Sequence, residues 1–377
     1  MGLTVRPVED GHDLAAFVDL PWRIYREYPF WIPPLKREVR ELLDPLRNPF
    51  WQHAERQLFL AWGTGPEPVG RIAAILDRHH DEVHGERAGF FGFFECLLDP
   101  DAAEALFEVA GAWCRARGAR FLRGPASPSA NDEYGFLLQG FSSYPTIMMP
   151  YTPPYYLEYA DRSGFAKAMD LHCYLKPAQS GFPDRIERLM QRQRRRSRFT
   201  LRPFDPRHFD RDVAILKEVY NEGWERNWGF VPLTEAEMDL AARKLRDFYD
   251  PGMVVIGEHE GRPAGVCITV PNANEVLRHL NGRLGPIEAL KFLRHRRRIR
   301  GTRAMIGGVK PAYRQTGLIA ELIYETIRRG FGRYEWCEIG WTLEENTDIN
   351  RLAVEFGSML YKKYRVYQKP LSSAEAS

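Results

Sequence analysis

Residues 304–319 read AMIGGVKPAYRQTGLI, and this stretch decides how the rest of the chain is interpreted. An apolar run ends at Val309, and a turn that carries Pro311 and Gly317 follows it. Apolar residues then recur with the spacing of one helix face, at Ile319, Leu322, Ile323 and Ile327. The pattern predicts a strand, a loop and a helix. Such a junction directs backbone N–H groups and the positive end of a helix dipole to one point, which suits a phosphate or a pyrophosphate.

The same residues resemble the acyl-CoA-binding motif of the GNAT superfamily of N-acyltransferases, in which a strand ending in Val leads to Arg/Gln-x-x-Gly-x-Gly/Ala and then a helix. Ile319 departs from this motif, because the family usually has a small residue there and Ala320 comes one place late. The resemblance implies acyl-CoA or acetyl-CoA as co-substrate, held by Val309, Arg314, Gln315, Thr316, Gly317, Leu318 and Ile319. A plain strand-to-helix turn would have a similar sequence.

The length and composition are those of a folded protein with more than one domain. At 377 residues the chain has room for two domains, since a typical domain holds roughly 100–200 residues. Apolar residues make up 44% and charged residues 27%, which excludes a disordered chain. No stretch of about 20 apolar residues is present, and the first residues lack the apolar segment of a signal peptide. We therefore expect a cytoplasmic enzyme.

Five cysteines are scattered along the chain without a Cys-x-x-Cys pair and without a histidine at metal-ligand spacing. We expect buried free thiols, no disulfide framework and no metal. The cysteines are Cys96, Cys114, Cys173, Cys267 and Cys337.

Arginines are unevenly distributed, although the net charge is only +3. Eight of them fall within residues 185–202 and five within residues 294–300. Such clusters suit the phosphates of CoA, of lipid headgroups or of RNA. A solvated helix face or a linker would have the same composition.

The first half of the chain predicts a helix, a hairpin and a strand–helix–strand unit. The helix covers residues 13–25 with Asp13 as its N-cap, and the hairpin pairs residues 58–62 with 69–75. A polar segment then leads to the strand–helix–strand unit, in which Gly118 ends the helix. These last elements are the segment 77–87, a strand at 89–96, a helix at 102–117 and a strand at 121–124.

The second half repeats this order. Its hairpin pairs residues 253–256 with 264–270, and Gly265 takes the place that Gly70 has in the first hairpin. The strand and helix of the opening stretch follow. We then expect a strand at 336–341, a helix from Asp348 to about Lys363 and a final strand at 364–368. The repetition predicts two related α/β units.

The resemblance explains this repetition as tandem GNAT-like domains, each with a mixed, mostly antiparallel twisted sheet flanked by helices, an α/β (α+β) fold. The N-terminal domain would cover residues 1–176 and the C-terminal domain residues 200–371, with an Arg-rich linker or helix at 177–199 and a tail at 372–377. In the N-terminal copy, residues 97–101 join strand to helix without glycine and with two carboxylates, which repel a pyrophosphate. We therefore expect that copy to be degenerate for CoA.

Catalysis of amine acylation requires a group that accepts a proton, because an amine with a pKa of about 10 is protonated at neutral pH and its deprotonation costs about 4–5 kcal/mol. Glu338 is a candidate base, since it lies on the strand after the cofactor helix, where the resemblance implies that the sheet opens beside the thioester. A carboxylate that points outward from an alternating strand is the equal alternative. The resemblance implies that Tyr361 protonates the leaving thiolate. It also implies that Asn346 and Asn350 hold the pantetheine, although both are good helix-capping residues as well.

Two further candidates lie in the first half. His80 belongs to a cluster of histidines and carboxylates in residues 77–84, for which a polar loop is the simpler interpretation; otherwise His80 or His84 is a proton acceptor. On a strand, His79 and His80 would face opposite ways. Glu95 closes a strand of aromatic residues and lies either at the end of the sheet or in a buried place that raises its pKa.

Residues 134–157 contain no charged side chain and are rich in aromatic residues and methionine. A core strand with a buried loop would have this composition, and so would an apolar wall for a long-chain substrate. With the aromatic run at 89–95, the loop at 124–134 and the tandem layout, the chain resembles the GNAT-type ceramide synthases of some bacteria. That resemblance implies a sphingoid amine as acceptor, and the arginines suggest an anionic membrane surface.

Three functions remain open at this point. The first is an acyl-CoA-dependent N-acyltransferase acting on an amine-bearing small molecule or lipid. The second is a tandem-GNAT aminoacyl transferase of the peptidoglycan-bridge type, with the Arg-rich tract contacting tRNA. The CoA-like loop at 309–319 argues against this second function, so we expect no nucleic-acid partner. The third is a non-catalytic binding protein, which Ile319 favours.

Overall fold

The computed structural model describes residues 2–224, 227–246 and 249–371, so the predicted tail at 372–377 lies outside the described residues. The chain divides into two units. Unit 1 comprises the residues up to Leu171, Leu280–Glu288 and the chain from Lys363 onward. Unit 2 comprises His172–His279 and Ala289–Lys362.

Unit 1 is built on a mixed sheet in the order β1-β2-β3-β4-β5, in which only β4 and β5 run parallel. The second half of β15 continues this sheet antiparallel to β5. The elements up to the end of β9 are β1 Thr4–Pro7, α1 Gly11–Asp19, α2 Pro21–Ile24, α3 Lys36–Leu43, β2 Ala54–Trp62, β3 Pro68–Asp77, α4 Arg78–His84, β4 Ala88–Cys96, α5 Pro100–Arg115, β5 Phe121–Gly124, β6 Ala126–Ser127, β7 Glu133–Tyr134, β8 Phe136–Gln139, α6 Tyr155–Arg162 and β9 Ala166–Pro177.

Unit 2 repeats this arrangement in the order β10-β11-β12-β13-β14, again with only the last pair parallel. The remaining elements of the chain are α7 Asp184–Arg196, β10 Phe199–Pro203, α8 Phe209–Gly223, α9 Glu235–Leu245, β11 Val254–His259, β12 Arg262–Pro271, α10 Asn274–Leu277, α11 Pro286–His295, β13 Gly301–Val309, α12 Leu318–Gly330, β14 Trp336–Leu343, α13 Thr347–Glu355 and β15 Met359–Pro370. The predicted fold class, a mixed and mostly antiparallel sheet flanked by helices, is confirmed in each unit.

Two equivalent glycines allow the central helix of each unit to approach its sheet. A Cβ atom on Gly70 would lie 2.6 Å from Cδ1 of Leu106 on α5. A Cβ atom on Gly265 would lie 2.9 Å from Cδ1 of Leu322 on α12. Because real Cβ atoms do not approach other atoms so closely, both positions require glycine at this helix–sheet spacing. Gly70 and Gly265 thus occupy equivalent positions for the same reason, which is the close packing of a helix against the sheet.

Three predicted helices or loops are wrong in detail. The helix expected at 13–25 is two helices, because Pro21 lacks an N–H group and begins a new helix, and the N-cap is Asp10, which accepts the N–H of Asp13 at 2.8 Å. Asp13 itself is buried and pairs with Arg6. The polar segment at 77–87 contains the helix α4, which Asp77 caps and Gly85 ends in the left-handed region.

The last predicted helix is too long. Helix α13 ends at Glu355, and Gly357, with φ of 80°, turns the chain into strand β15. Burial then alternates along part of β15, since Lys362, Tyr364 and Val366 are buried while the residues between them are more exposed. Tyr361 therefore lies on a strand and not at the end of a helix.

The Arg-rich tract forms helix α7 and strand β10. Ile186 and Met190 are the buried side of α7, and the arginines occupy its other faces. All five cysteines are buried free thiols, as predicted. Within the described ranges, we find no helix with the length and apolarity needed to cross a bilayer.

Candidate active site

The loop between β13 and α12 presents an uncapped helix N-terminus. Strand β13 ends at Val309, a short 3-10 turn covers Pro311–Tyr313, and Gly317 is the N-cap of α12 with φ of 80°. Such a backbone conformation favours glycine. Among the described residues, this N-terminus has no side-chain cap hydrogen bond. These groups are therefore oriented to bind an anion.

The equivalent helix of unit 1 is closed by its own side chain. Asp99 is the N-cap of α5 and its carboxylate accepts the N–H of Ala102 at 3.0 Å. The two units therefore differ at the same place in the fold: a carboxylate occupies one helix N-terminus and a glycine leaves the other open. That only the second copy binds CoA stays a prediction.

The loop residues are held by few contacts of their own. Thr316 donates its hydroxyl hydrogen to the carbonyl of Tyr313 at 2.7 Å, and Nη2 of Arg314 lies 3.4 Å from the carbonyl oxygen of Gly223. Gln315 is exposed and Leu318 is buried. Ile319 packs against the apolar core of unit 2, and a Cβ atom on Gly307 would lie 3.7 Å from its Cδ1, an ordinary contact distance. Its size is thus accommodated by the sheet.

Helix α7 contributes two residues that sequence analysis did not single out. The amide of Gln193 donates to one oxygen of Glu321 at 3.1 Å, and Nη1 of Arg194 contacts the other oxygen at 3.2 Å. Glu321 lies in the first turn of α12 and is buried. A Cβ atom on Gly317 would lie 2.2 Å from Nε2 of Gln193. The Arg-rich helix therefore lies directly against the loop.

Glu338 and Tyr361 lie in contact in unit 2. The hydroxyl of Tyr361 donates a hydrogen bond to Oε2 of Glu338, and Nε of Arg303 is 3.5 Å from Oε1. Arg303 and Glu338 are opposite each other in the parallel register of β13 and β14. Glu338 is fully buried, whereas Tyr361 is partly exposed. The phenol is therefore the member of this cluster that a ligand can reach.

Two further titratable groups surround Glu338. Lys362 is buried, and desolvation lowers its pKa while the charge of Glu338 acts in the opposite direction. Burial raises the pKa of the Cys173 thiol well above its ordinary value, and the charge of Glu338 adds to that effect. The cluster therefore balances one buried carboxylate against the cations of Arg303 and Lys362.

The two asparagines have local structural contacts. Asn346 is the N-cap of α13 and accepts the N–H of Ile349 at 3.4 Å. Asn350 accepts the hydroxyl hydrogen of Thr342 at 2.5 Å and donates to the carbonyl of Leu343 at 2.9 Å. Asn350 joins α13 to the end of β14, whereas Asn346 caps its own helix. Holding pantetheine would require them to share or exchange these hydrogen bonds.

Glu95 forms a second buried carboxylate cluster, in unit 1. The hydroxyl of Tyr156 donates to Oε2 of Glu95 at 2.8 Å, and Arg71, its cross-strand neighbour on β3, lies 3.7 Å from Oε1. Burial raises the pKa of Glu95 to about 7, and Arg71 opposes this shift. Burial, followed by the charge of Glu95, raises the pKa of Tyr25. This carboxyl group therefore changes charge near neutral pH.

His80 is buried on α4 beside His84, with ring centroids 4.6 Å apart. Desolvation is the main cause that lowers its pKa to about 3, and the charges of His84 and Arg123 add to the shift. His79 is more exposed, one residue earlier on the same helix. Helix α4 replaces the polar loop predicted for this segment.

One group of residues has metal-ligand spacing among the parts of the chain that the structure describes. It consists of Asp10, His12 and Asp13, of which the first two are exposed. Asp10 caps α1 and Asp13 pairs with Arg6 at 3.0 Å. These carboxylates thus already have structural partners.

The structure brings together Glu338 and Tyr361, and it places the 309–319 segment in one loop. The partners that sequence analysis missed are the arginines: Arg303 opposite Glu338 and Arg71 opposite Glu95. Arg71 lies inside an otherwise apolar predicted strand, which is a signal of a buried counter-charge, whereas Arg303 directly precedes the predicted strand that ends at Val309. The strand pairing needed to identify the partner follows only from the register.

No family model matches the chain. It is 36% identical over 381 residues to a bacterial ceramide synthase of Caulobacter vibrioides, covering 98% of each protein. It is 34% identical over 375 residues to protein YghO of Escherichia coli strain K12, covering 97% of this chain and 95% of the relative.

Solved structures share the fold at low sequence identity. A tandem GNAT protein from the clavulanic acid biosynthesis pathway superposes with a TM-score of 0.56 at 13% identity, over 99% of this chain and all of the other. A GCN5-related N-acetyltransferase from Sphaerobacter thermophilus gives a TM-score of 0.53 at 13% identity, over 98% and 96% of the two chains. The predicted tandem GNAT fold is therefore confirmed.

Proposed function

Because the chain belongs to the family that includes the bacterial ceramide synthase of Caulobacter vibrioides and protein YghO of Escherichia coli, we propose that it transfers an acyl group from acyl-CoA to a primary amine. The fold and these relatives support an N-acyltransferase. The observation that carries the choice of acyl-CoA is the open N-terminus of α12 beside the closed N-terminus of α5. We propose a long-chain, sphingoid-type amine as the acceptor.

We assign the pyrophosphate of CoA to the loop after β13. The N–H groups that follow Gly317 would donate to its oxygens, and Arg314 would add a positive charge, since its present contacts to backbone carbonyls are long and easily exchanged. Val309 ends the strand that leads into the loop, and Ile319 lies in the first turn of the helix. Gln315 and Thr316 complete the turn. Asn346 and Asn350 remain proposed contacts to the pantetheine.

The proton transfers are assigned to the pair formed by Glu338 and Tyr361. During the reaction the amine nitrogen forms a bond to the acyl carbon and the carbon–sulfur bond breaks. The ammonium group loses two protons in all, of which one ends on the thiolate sulfur and the other is released to solvent. Tyr361 is partly exposed and hydrogen-bonded to a buried carboxylate, so its oxygen can accept a proton while Glu338 takes the phenol hydrogen. Reversal of this transfer protonates the leaving sulfur.

Glu95 is a second proposed proton acceptor, because a base is most effective when its pKa is close to the working pH. His80 is a weaker candidate than Glu95, because a pKa of about 3 makes its imidazole a poor proton acceptor at neutral pH. The aromatic residues Phe91, Phe94 and Phe136 belong to the buried core of unit 1, so the core alternative holds for them and the acceptor chain is not assigned to this wall. We further propose that the protein works at the surface of an anionic membrane.

Calorimetric titration with CoA and with a long-chain acyl-CoA tests the proposed co-substrate. We expect the wild type to bind both and Gly317→Glu to bind neither, because the substitution places a carboxylate at the helix N-terminus. Gly261→Glu controls for a glutamate at a positive φ, since Gly261 has φ of 74° in the same unit. Because a Cβ atom on Gly317 would also lie 2.2 Å from Nε2 of Gln193, circular dichroism must show that Gly317→Glu keeps its fold. Absence of binding by the wild type would refute the proposal. Equal binding by Gly317→Glu would place the cofactor elsewhere.

An acylation assay with sphinganine, a short alkyl amine and glucosamine tests the acceptor. The amide product is identified by mass spectrometry. We expect acylation of sphinganine at a higher kcat/KM than of the short amine, because an apolar chain adds binding free energy of about 0.8 kcal/mol for each buried CH₂ group. Preference for a short or polar amine would retain the N-acyltransferase and remove the sphingoid acceptor.

A further inference from the structure

Helix α11 carries apolar side chains on its solvent side. The exposed fractions are 67% for Ile287, 70% for Leu290 and 54% for Leu293, and the preceding Leu284 is 58% exposed. No residue of α11 is buried. Soluble proteins seldom expose several large apolar side chains in a row, and such a patch usually marks a contact with a partner or a membrane.

The spacing places these side chains opposite the packed face of the helix. Ile287, Leu290 and Leu293 follow each other at intervals of three residues, so they form one ridge. The less exposed residues of α11 are Glu288, Phe292 and His295, which lie on the opposite side by helical geometry. The apolar ridge therefore points away from the protein, the reverse of a core-facing amphipathic helix.

Both ends of α11 are anchored. Before the helix, the carbonyl of Gly282 accepts the N–H of Lys36 at 3.0 Å, and Asn281 accepts the indole N–H of Trp22 at 3.0 Å. At the other end, the ring of His295 stacks on that of His279 with centroids 4.0 Å apart. Each end of the helix is thus held by contacts within its own unit.

The charge around the ridge is almost entirely positive. Residues 280–300 contain seven Lys and Arg residues and one carboxylate, Glu288, which accepts the N–H of Gly285 at 3.2 Å. Within the described ranges, no carboxylate forms an ion pair with the basic residues nearest the ridge, which are Lys291, Arg294, Arg296, Arg297 and Arg298. Exposed leucines bordered by unpaired arginines are the chemistry that an anionic lipid surface recognises.

We propose that α11 docks the protein on anionic lipid bilayers, with Ile287, Leu290 and Leu293 entering the boundary between headgroups and acyl chains. The arginines that follow the helix contact the headgroup phosphates. This inference assigns a lipid-binding surface and does not depend on the chemistry proposed for the loop after β13. A bilayer explains both the apolar ridge and its basic border, whereas a second copy of this chain would bring two basic borders together.

Vesicle sedimentation tests the docking surface. The wild-type chain is mixed with vesicles of phosphatidylcholine alone and with vesicles in which part of this lipid is replaced by phosphatidylglycerol. We expect binding to the anionic vesicles, weakened about tenfold by each of Leu290→Gln and Leu293→Gln. The matched control is Leu46→Gln, at a leucine that is 96% exposed on another segment, and it should bind as the wild type does.

Variants that remove arginine charges test the electrostatic attraction to the bilayer separately from the insertion of the apolar ridge. Replacing Arg296, Arg297 and Arg298 by Gln should weaken binding to anionic vesicles by roughly fivefold for each arginine that contacts the surface. Wild-type protein that stays in solution, or leucine variants that bind as the wild type does, would overturn the proposal. A wild-type dimer that Leu290→Gln converts to a monomer would assign the ridge to a second copy instead. CoA titration without vesicles tests the proposed enzyme separately, so either idea can fail alone.

Discussion

The hydroxyl group of Tyr361 donates a hydrogen bond to the carboxylate of Glu338, and both residues belong to unit 2. On the other side of the carboxylate, Arg303 supplies a guanidinium at 3.5 Å. A buried carboxylate between a cation and a phenol keeps its own charge compensated and fixes the phenol oxygen in one position. The contribution of this cluster to proton transfer can therefore be tested at Tyr361, and its contribution to stability can be tested at Glu338.

Tyr361→Phe should lower kcat by roughly 10²–10⁴-fold, the usual contribution of a positioned acid or base. The Kd for CoA should not change, because the phenol has no part in the proposed phosphate site. Steady-state kinetics and calorimetry measure the two quantities. Tyr249→Phe is the control, since the Tyr249 ring packs against Phe204 and Phe209 elsewhere in the unit. An unchanged kcat in Tyr361→Phe would contradict the assigned role.

Glu338→Gln should lower the free energy of unfolding by about 3–5 kcal/mol, because it leaves the buried guanidinium of Arg303 without its counter-charge. Urea denaturation followed by circular dichroism gives this quantity. Glu335→Gln removes an exposed partner of Arg300 and should cost less than about 1 kcal/mol. Similar losses of unfolding free energy in both variants would show that the buried pair stabilises the fold no more than the exposed pair does.

Glu95 should make stability fall as the pH rises. Its pKa is about 7 in the folded chain, against 4.5 for an ordinary exposed glutamate, so the folded state binds the proton more tightly. The protonated form therefore contributes stability that is fully present below pH about 4.5 and is lost as the pH rises through about 7. Denaturation at several pH values should show this slope in the wild type and a smaller slope in Glu95→Gln.

If Glu95 also accepts the amine proton, kcat/KM should rise with pH through about 7, since the ionised carboxylate is the active form. The rise should be absent in Glu95→Gln. A variant that loses the stability slope but keeps the kinetic profile would leave Glu95 a structural residue only.

Gly265→Ala should destabilise unit 2 by about 1–3 kcal/mol, because the added Cβ atom would lie within 3 Å of both Val309 and Leu322. Gly70→Ala should have a similar effect in unit 1, where Leu106 would be displaced. Thermal unfolding measures both changes. Gly65→Ala is the control, since a Cβ atom there would meet nothing within 4 Å. A near-zero change in Gly265→Ala would mean that α12 can move away from the sheet at little cost.

Much of this architecture follows from local sequence patterns. The hairpins, the strand–helix–strand units and the loop after Val309 depend on periodicity and on Gly and Pro, which act over a few residues. Ends of helices were missed where a cap decides the boundary, as at Asp10 and Gly357. The arginine partners of Glu95 and Glu338 could not be identified, because strand register is a long-range property.

Asp99 has a consequence for how the duplicated chain responds to its surroundings. A side chain that closes the N-terminus of α5 is a ligand at fixed, very high local concentration, and it cannot be exchanged. At the N-terminus of α12, Gly317 provides no capping side chain, and the Glu321 carboxylate in the first turn is already paired with Gln193 and Arg194. If acyl-CoA occupies it as proposed, the folding free energy of unit 2 varies with the level of that metabolite, while that of unit 1 stays constant. The stability of unit 1 would then be independent of acyl-CoA, whereas the stability of unit 2 would report the concentration of this metabolite.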